Sequence, residues 1–241
     1  MDKRPVGVFD SGIGGLTAVE HFRKILPEEN IVYFGDTARC PYGTKTIEEL
    51  KIIAADDLRF LASFDCKVIL AACGTVSANC TDLIDSFPIK AFNVVDASVE
   101  EMSKYDGDGC LAVLATDATI TSGTFQNRIS AKNGKEVIGI ACQDFVELCE
   151  KGHTDRNDPE LKTAVEKYLS VLRERKCDRL LLGCTHFGHI KDAIAEYLPG
   201  TEIVEASECA ARCVAEYLSK NGLTGGDGNT QIYTSGYGIN A

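Results

Sequence analysis

Two cysteines are the residues best placed to do chemistry. Cys73 follows the apolar run Val68 to Ala72, and Cys184 follows Leu180 to Gly183. Each stands at the carboxyl end of a short hydrophobic segment and leads into small polar residues, Gly74-Thr75-Val76-Ser77 in one case and Thr185-His186 in the other. A thiol can serve as nucleophile, acid or base, but free cysteine, with a pKa of about 8.5, needs a neighbour to mobilise its proton. His186 is such a neighbour for Cys184. Asp10 ends another apolar run, Val6 to Phe9, where a carboxylate is costly to bury unpaired. Two other readings stay open. Cys184, His186 and His189 could ligate a metal, although no further cysteine or carboxylate completes a usual spacing and the chain has no Cys-x-x-Cys pair. Gly12-Ile13-Gly14 opens like a dinucleotide fingerprint, but Thr17 stands where glycine or alanine is required, and no P-loop Gly-Lys-Ser/Thr occurs.

The elements that must carry these residues are legible as a pattern. Val6 to Phe9, Ile31 to Phe34, Val68 to Ala72, Leu111 to Ala115, Val137 to Ala141 and Leu180 to Gly183 are short, non-alternating apolar runs, as expected of strands covered on both faces. Amphipathic segments lie between them. One spans Leu16 to Leu26 and stops at Pro27; another starts at the N-cap Asp158 with Pro159 behind it. Alternating strand and helix predicts an α/β architecture with mostly parallel sheets. Residues 68–75 and 179–186 echo one another, each an apolar strand followed by a small residue and a cysteine, which suggests two similar halves. In open α/β sheets ligands bind at the carboxyl ends of strands, where both cysteines fall. Strand-to-helix junctions at Asp10 to Gly15, Cys73 to Ser77, Thr116 to Gly123 and Cys184 to His186, with the loop Pro41 to Lys45, could converge on an anion through backbone N–H groups.

Composition bounds the partners. The 241 residues are 44% hydrophobic and 25% charged, with eleven cysteines and a net charge of −11. That length supports one or two domains with a buried core and no need of disulfide staples. The acidic balance argues against nucleic acid and against anionic membranes as partners. No apolar stretch is long enough to span a bilayer and no apolar signal segment is visible, so a cytoplasmic location with reduced thiols is expected.

Longer blocks add a resemblance. Val6-Gly7-Val8-Phe9-Asp10-Ser11-Gly12-Ile13-Gly14-Gly15-Leu16 resembles the opening motif of the glutamate racemases. Ile31 to Arg39, followed by Pro41-Tyr42-Gly43-Thr44-Lys45, resembles their second motif. Thr116 with Thr119-Ile120 and Ser122, Ala141-Cys142 leading to Glu150, and Gly183-Cys184-Thr185-His186 are further matches. The resemblance implies a cofactor-independent amino-acid racemase, with no metal, built as two α/β domains around a cleft. One domain would comprise residues 1–95 with 208–241, the other residues 96–207. The resemblance makes Cys73 and Cys184 the acid–base pair, supported by Asp10 on one side and by His186 with Glu150 on the other. It places Ser11, Tyr42, Gly43, Gly74, Thr75, Thr116, Thr119 and Thr185, together with Asp10 and His186, around the substrate. It further implies glutamate as a small-molecule substrate, a role in supplying D-glutamate for peptidoglycan, and leaves a homodimer among the allowed assemblies.

The chain also departs from the pattern. Gly74 replaces the asparagine usual after the first cysteine, Phe187-Gly188-His189 follows His186, and Gln143-Asp144 replaces a proline-leucine pair. These positions bear on the substrate, so another amino acid such as aspartate, or a protein that binds amino acid without turnover, are the competing expectations. Two thiols suit racemisation because one residue on each face can remove and return the α-proton, exchanging roles with direction. Asp10 would act as a proton acceptor, since a nearby anion raises a thiol pKa.

Overall fold

Short apolar runs assemble into parallel sheets because each is covered on both faces. In the computed structural model, which describes residues 1–236, the strands are β1 (Val6–Asp10), β2 (Ile31–Gly35), β3 (Val68–Ala71), β4 (Ala91–Asn93), β5 (Cys110–Ala115), β6 (Val137–Ala141), β7 (Cys177–Leu182), β8 (Glu202–Glu205) and β9 (Thr230–Thr234). They form a five-stranded sheet ordered β4-β3-β1-β2-β9 and a four-stranded sheet ordered β6-β5-β7-β8. Every pairing is parallel. The six runs read from the sequence all become strands. The three they omit, β4, β8 and β9, carry a poor apolar signal: β4 has only three residues, β8 is Glu-Ile-Val-Glu, and β9 is mostly polar. β9, Thr-Gln-Ile-Tyr-Thr, is largely exposed.

Three apolar layers hold the two lobes. Val6, Val8, Val68 and Leu70 on one face of the first sheet, and Leu111, Val113 and Leu181 on one face of the second, share a core. The helices α1 (Leu16–Ile25), α5 (Val94–Ser103) and α11 (Ala206–Lys220) fill it with Phe22, Val99, Met102, Val214 and Leu218. On the far side of the first sheet, α2 (Ile47–Ala62) packs Leu50, Ala54 and Leu58 against Phe9, Val32 and Ile69. On the far side of the second, α8 (Gln143–Glu150), α9 (Pro159–Glu174) and α10 (Lys191–Tyr197) cover Ala112, Leu114 and Leu182. Each large side chain so buried contributes about 1.5–3 kcal/mol.

Local signals place the helix starts. Asp158 caps α9 by accepting from the N–H groups of Glu160 and Leu161 at 2.8 and 3.2 Å. Thr46 and Glu49 form a reciprocal capping box ahead of α2. The final strand is held in place from below by a buried ion pair, Lys67 with Glu29 at 2.5 Å. Lys67 also donates to the carbonyls of Asp2, Leu223 and Gly225, and Glu29 accepts from the Gly225 N–H. Those bonds pin the segment that leads into β9. The outcome for function is simple: the carboxyl ends of β1 and β3 open onto the same seam as those of β5 and β7. No helix among the described residues is long and apolar enough to cross a membrane.

Candidate active site

Cys73 directly follows β3 and precedes the short helix α3 (Gly74–Asn79). Cys184 follows β7 and precedes a 3-10 turn over Thr185–Ile190. The two strands belong to different sheets, yet both thiols border one enclosed cavity of about 10 Å³, room for about one water molecule. Asp10, Ser11, Tyr42, Gly43, Thr75, Thr116, Thr185 and His186 also line it, as do Pro41 and Val146. Sequence reasoning did not single out Val146, an apolar residue of α8 with no marker of its own. Gly74, Thr119 and Glu150 stand behind the lining rather than in it.

Besides the thiols, an acid and a base line the cavity, Asp10 and His186. On one side Asp10, fully buried, accepts from Ser11 Oγ and the Gly12 N–H, each at 3.2 Å, and from Thr185 Oγ1 at 2.8 Å across the seam. Burial pushes the Asp10 carboxyl up; His186, Thr185 and the Gly12 N–H pull against it without cancelling it. On the other side His186 Nδ1 lies 3.8 Å from Cys184 Sγ, and its Nε2 lies 2.6 Å from Glu150 Oε1. Burial acts to raise Glu150, but the hydrogen bond and charge of His186 and the Ile13 N–H outweigh it, so the carboxyl is held low. Cys149 donates from its thiol to the His186 carbonyl at 3.3 Å and so fixes the turn from behind. Burial first, and the Asp10 charge second, push both Cys73 and Cys184 well above the ordinary thiol range. Both sulfurs therefore hold protons in the closed site.

Hydroxyls bridge the lobes on the remaining edge. Thr75 Oγ1 and Thr116 Oγ1 are 2.9 Å apart, and Thr116 Oγ1 is 2.9 Å from Thr119 Oγ1. Thr116 also caps helix α6 (Asp117–Ser122). The glycine-rich loop that resembled a nucleotide fingerprint is glycine-rich for another reason. A methyl placed on Gly12 would lie 2.1 Å from Glu150 Oε1, and one on Gly14 would lie 2.4 Å from His186 Nδ1. These glycines let the first lobe press against the histidine–carboxylate pair. His189 turns its Nε2 toward the Ile13 carbonyl at 3.4 Å, so it too ties the lobes. Cys40, given no part by the sequence, sits beside the site, its thiol 3.9 Å from Glu150 Oε1 and pushed up to about 12 by burial and by the Glu150 and Asp10 charges.

Gly74 has no room for a side chain. A methyl there would lie 2.1 Å from the backbone carbonyl oxygen of Gly183 in the other lobe. Backbone cannot swing aside, so Gly74→Ala should destabilise the protein by about 1–3 kcal/mol through overpacking at the seam. Urea unfolding with an unchanged m-value would show it.

Tyr42 differs from expectation. Its ring borders the cavity, but its hydroxyl faces Asp36 Oδ2 at 2.5 Å and Asp57 Oδ2 at 2.9 Å, both buried, with Arg39 bound to the same two carboxylates. What Tyr42 offers the site is therefore placement of the Pro41–Gly43 loop. One hydroxyl proton cannot serve two anions. Burial, with the Asp36 charge, pushes Asp57 up to about 7, against the pull of Tyr42 and Arg39. A carboxyl raised on folding contributes stability that is present below its unfolded pKa and lost as pH rises through the folded one. Between about pH 4 and pH 7 the stability of Asp57→Asn should accordingly gain on that of the unsubstituted protein, as read by thermal melts across that range. Sequence patterning did not single out Asp57, which occupies an otherwise ordinary helical position.

Two parallel α/β lobes with buried acid–base groups between them define a class of α/β protein suited to moving protons on a small ligand. The chain belongs to the Asp/Glu/Hydantoin racemase family, whose pattern matches residues 17–214. It is 38% identical over 223 residues to a glutamate racemase of Chlorobaculum parvum, covering 91% of this chain and 81% of that one. It is 37% identical over 242 residues to a glutamate racemase of Geobacter metallireducens, covering 98% and 88%. Its structure resembles that of a Francisella tularensis glutamate racemase in complex with D-glutamate, with a TM-score of 0.89 at 34% identity over 99% of this chain and 90% of that one.

Proposed function

We propose that the protein interconverts L- and D-glutamate by passing the α-proton between Cys73 and Cys184. The observation that carries this reading is that one thiol from each lobe borders the same closed cavity. In one direction a Cys184 thiolate takes the α-hydrogen as a proton, and the Cys73 thiol returns its own proton to the opposite face. In the other direction the roles reverse. In each direction the sulfur that acts as base must first lose its proton, while the other keeps its own. Glu150 holds His186 with its Nε2–H directed to the carboxylate, which leaves Nδ1 as the acceptor for the Cys184 proton. Asp10, raised by burial, has the proton affinity to serve Cys73. A substrate ammonium between the sulfurs further favours the thiolate. The N–H groups of the cysteine junctions stabilise the carbanion through its carboxylate. The cavity is too small for glutamate, so the lobes part to admit it and close to exclude water.

Glutamate is preferred as substrate because the relatives that cover the chain are named for it and the Francisella tularensis protein holds the D-enantiomer. An aspartate racemase of Picrophilus torridus, at 17% identity, shares the fold alone. Residues 1–95 with 208–241 form one domain in this reading and residues 96–207 the other, a division supported by the pairing of β9 with β2; residues 237–241 lie outside the described residues. The protein acts in the cytoplasm and supplies D-glutamate for peptidoglycan. The test is purified protein with L-glutamate in deuterated water and no added cofactor. Decay of the circular dichroism signal with deuterium gained at the α-carbon is expected; bound glutamate without α-exchange would overturn the reading. Running aspartate alongside separates the substrates.

A further inference from the structure

Gln143 begins α8 in the second lobe, and both its side-chain Nε2 and Oε1 are buried without a hydrogen-bond partner. A buried amide left unpaired is costly, so such a group in a folded protein calls for an explanation. Its position supplies one. A methyl placed on Gly43 would lie 2.3 Å from Gln143 Oε1 and 2.8 Å from Thr116 Cβ, and both Gly43 and Thr116 line the cavity. The carboxamide thus lies directly behind two lining residues, where the 42–44 turn of one lobe meets the second lobe.

Most side-chain donors along that edge are already engaged. The Tyr42 hydroxyl is held by Asp36 and Asp57, and the Thr75, Thr116 and Thr119 hydroxyls form a chain among themselves. Neither lysine nor arginine lines the cavity. Gly74 contributes no side chain, because the Gly183 carbonyl occupies the space. We propose that Gln143 is a specificity-determining residue, its Nε2–H donating to the side-chain carboxylate of the bound acidic amino acid. The α-carbon must lie between the sulfurs, with the α-carboxylate against the cysteine junctions. Gly43 and Gln143 belong to neither junction, so they meet the substituent that extends away from the reacting carbon. This rests on the proposed amino-acid racemase reading and adds the group that recognises the substrate's far end.

The test compares Gln143→Ala and Gln143→Glu with the unsubstituted protein, each checked for fold by thermal melting. With L-glutamate, Gln143→Ala should raise KM about tenfold or more, the scale of a lost hydrogen bond to a charged group, with kcat changed less than about threefold. Gln143→Glu keeps the shape but presents an anion to an anion, and should raise KM further; a packing role would leave it near normal. KM within about twofold in both variants would overturn the proposal. If the unsubstituted protein turns over aspartate and not glutamate, the glutamate reading fails while the same KM comparison, made with aspartate, still decides the role of Gln143. If it turns over neither, Kd for D-glutamate measured by calorimetry replaces KM, with the same tenfold criterion.

Discussion

Cys73→Ser and Cys184→Ser should each lower racemisation of glutamate by about a thousandfold or more. General acid–base groups are worth about 10²–10⁴ in rate, and a serine hydroxyl holds its proton far more tightly than a thiol. The effect is large in both variants because inversion needs a competent group on each face. The informative readout is exchange without inversion. Cys184→Ser keeps the Cys73 thiol and its partner Asp10, so the enantiomer presented to Cys73 should still trade its α-hydrogen with solvent while the product stays unracemised. Cys73→Ser should do the same for the other enantiomer, served by Cys184 and His186. Both measurements come from one experiment, mass spectrometry of chirally separated glutamate after incubation in deuterated water. Near-normal racemisation by either variant would rule out the two-thiol mechanism.

His186→Asn should cost about a hundredfold in turnover. The imidazole stands 3.8 Å from Cys184 Sγ and is oriented by Glu150 at 2.6 Å, so its loss removes the acceptor that faces the Cys184 proton. That thiol is held high by burial and by the Asp10 charge. Residual activity should therefore rise as pH rises, because solvent hydroxide takes over the missing step. The loss has a thermodynamic signature. Enantiomers have equal free energy, so kcat/KM must fall equally in the two directions, whereas kcat alone should fall more in the direction that starts with the Cys184 thiolate. Initial rates from L- and from D-glutamate, measured over a pH series, check both statements. Unequal kcat/KM values would indicate an assay fault; equal falls in kcat in the two directions would remove His186 from the Cys184 side.

The parts of this site that were legible in the sequence share one property: they are set by short-range pattern. Cys73 and Cys184 each end a continuous apolar run, and strand ends in parallel sheets face ligands. Asp10 ends β1 for the same reason. The strands β4, β8 and β9 were not legible, because β4 has only three residues and the other two are interrupted by polar side chains, whereas the edge strand β6 is a continuous apolar run. Glu150 and the Thr75–Thr116 contact came through resemblance or through the structure, since their partners lie far along the chain. Gln143 looked like a simple departure from a motif until its unpaired amide was found against Gly43 and Thr116.

By itself, then, the sequence determined the α/β layering and the placement of two thiols at strand ends, because alternation and burial act over a few residues. Only the tertiary structure decided that the two thiols share one cavity, and that Gly12, Gly14 and Gly74 are glycine to let the lobes meet. It also assigned the Tyr42 hydroxyl to a buried carboxylate pair rather than to the cavity. Those outcomes depend on distances of a few ångströms between residues of different sheets. Such distances are set by how the shared core of α1, α5 and α11 holds the two lobes together, and no local pattern encodes them.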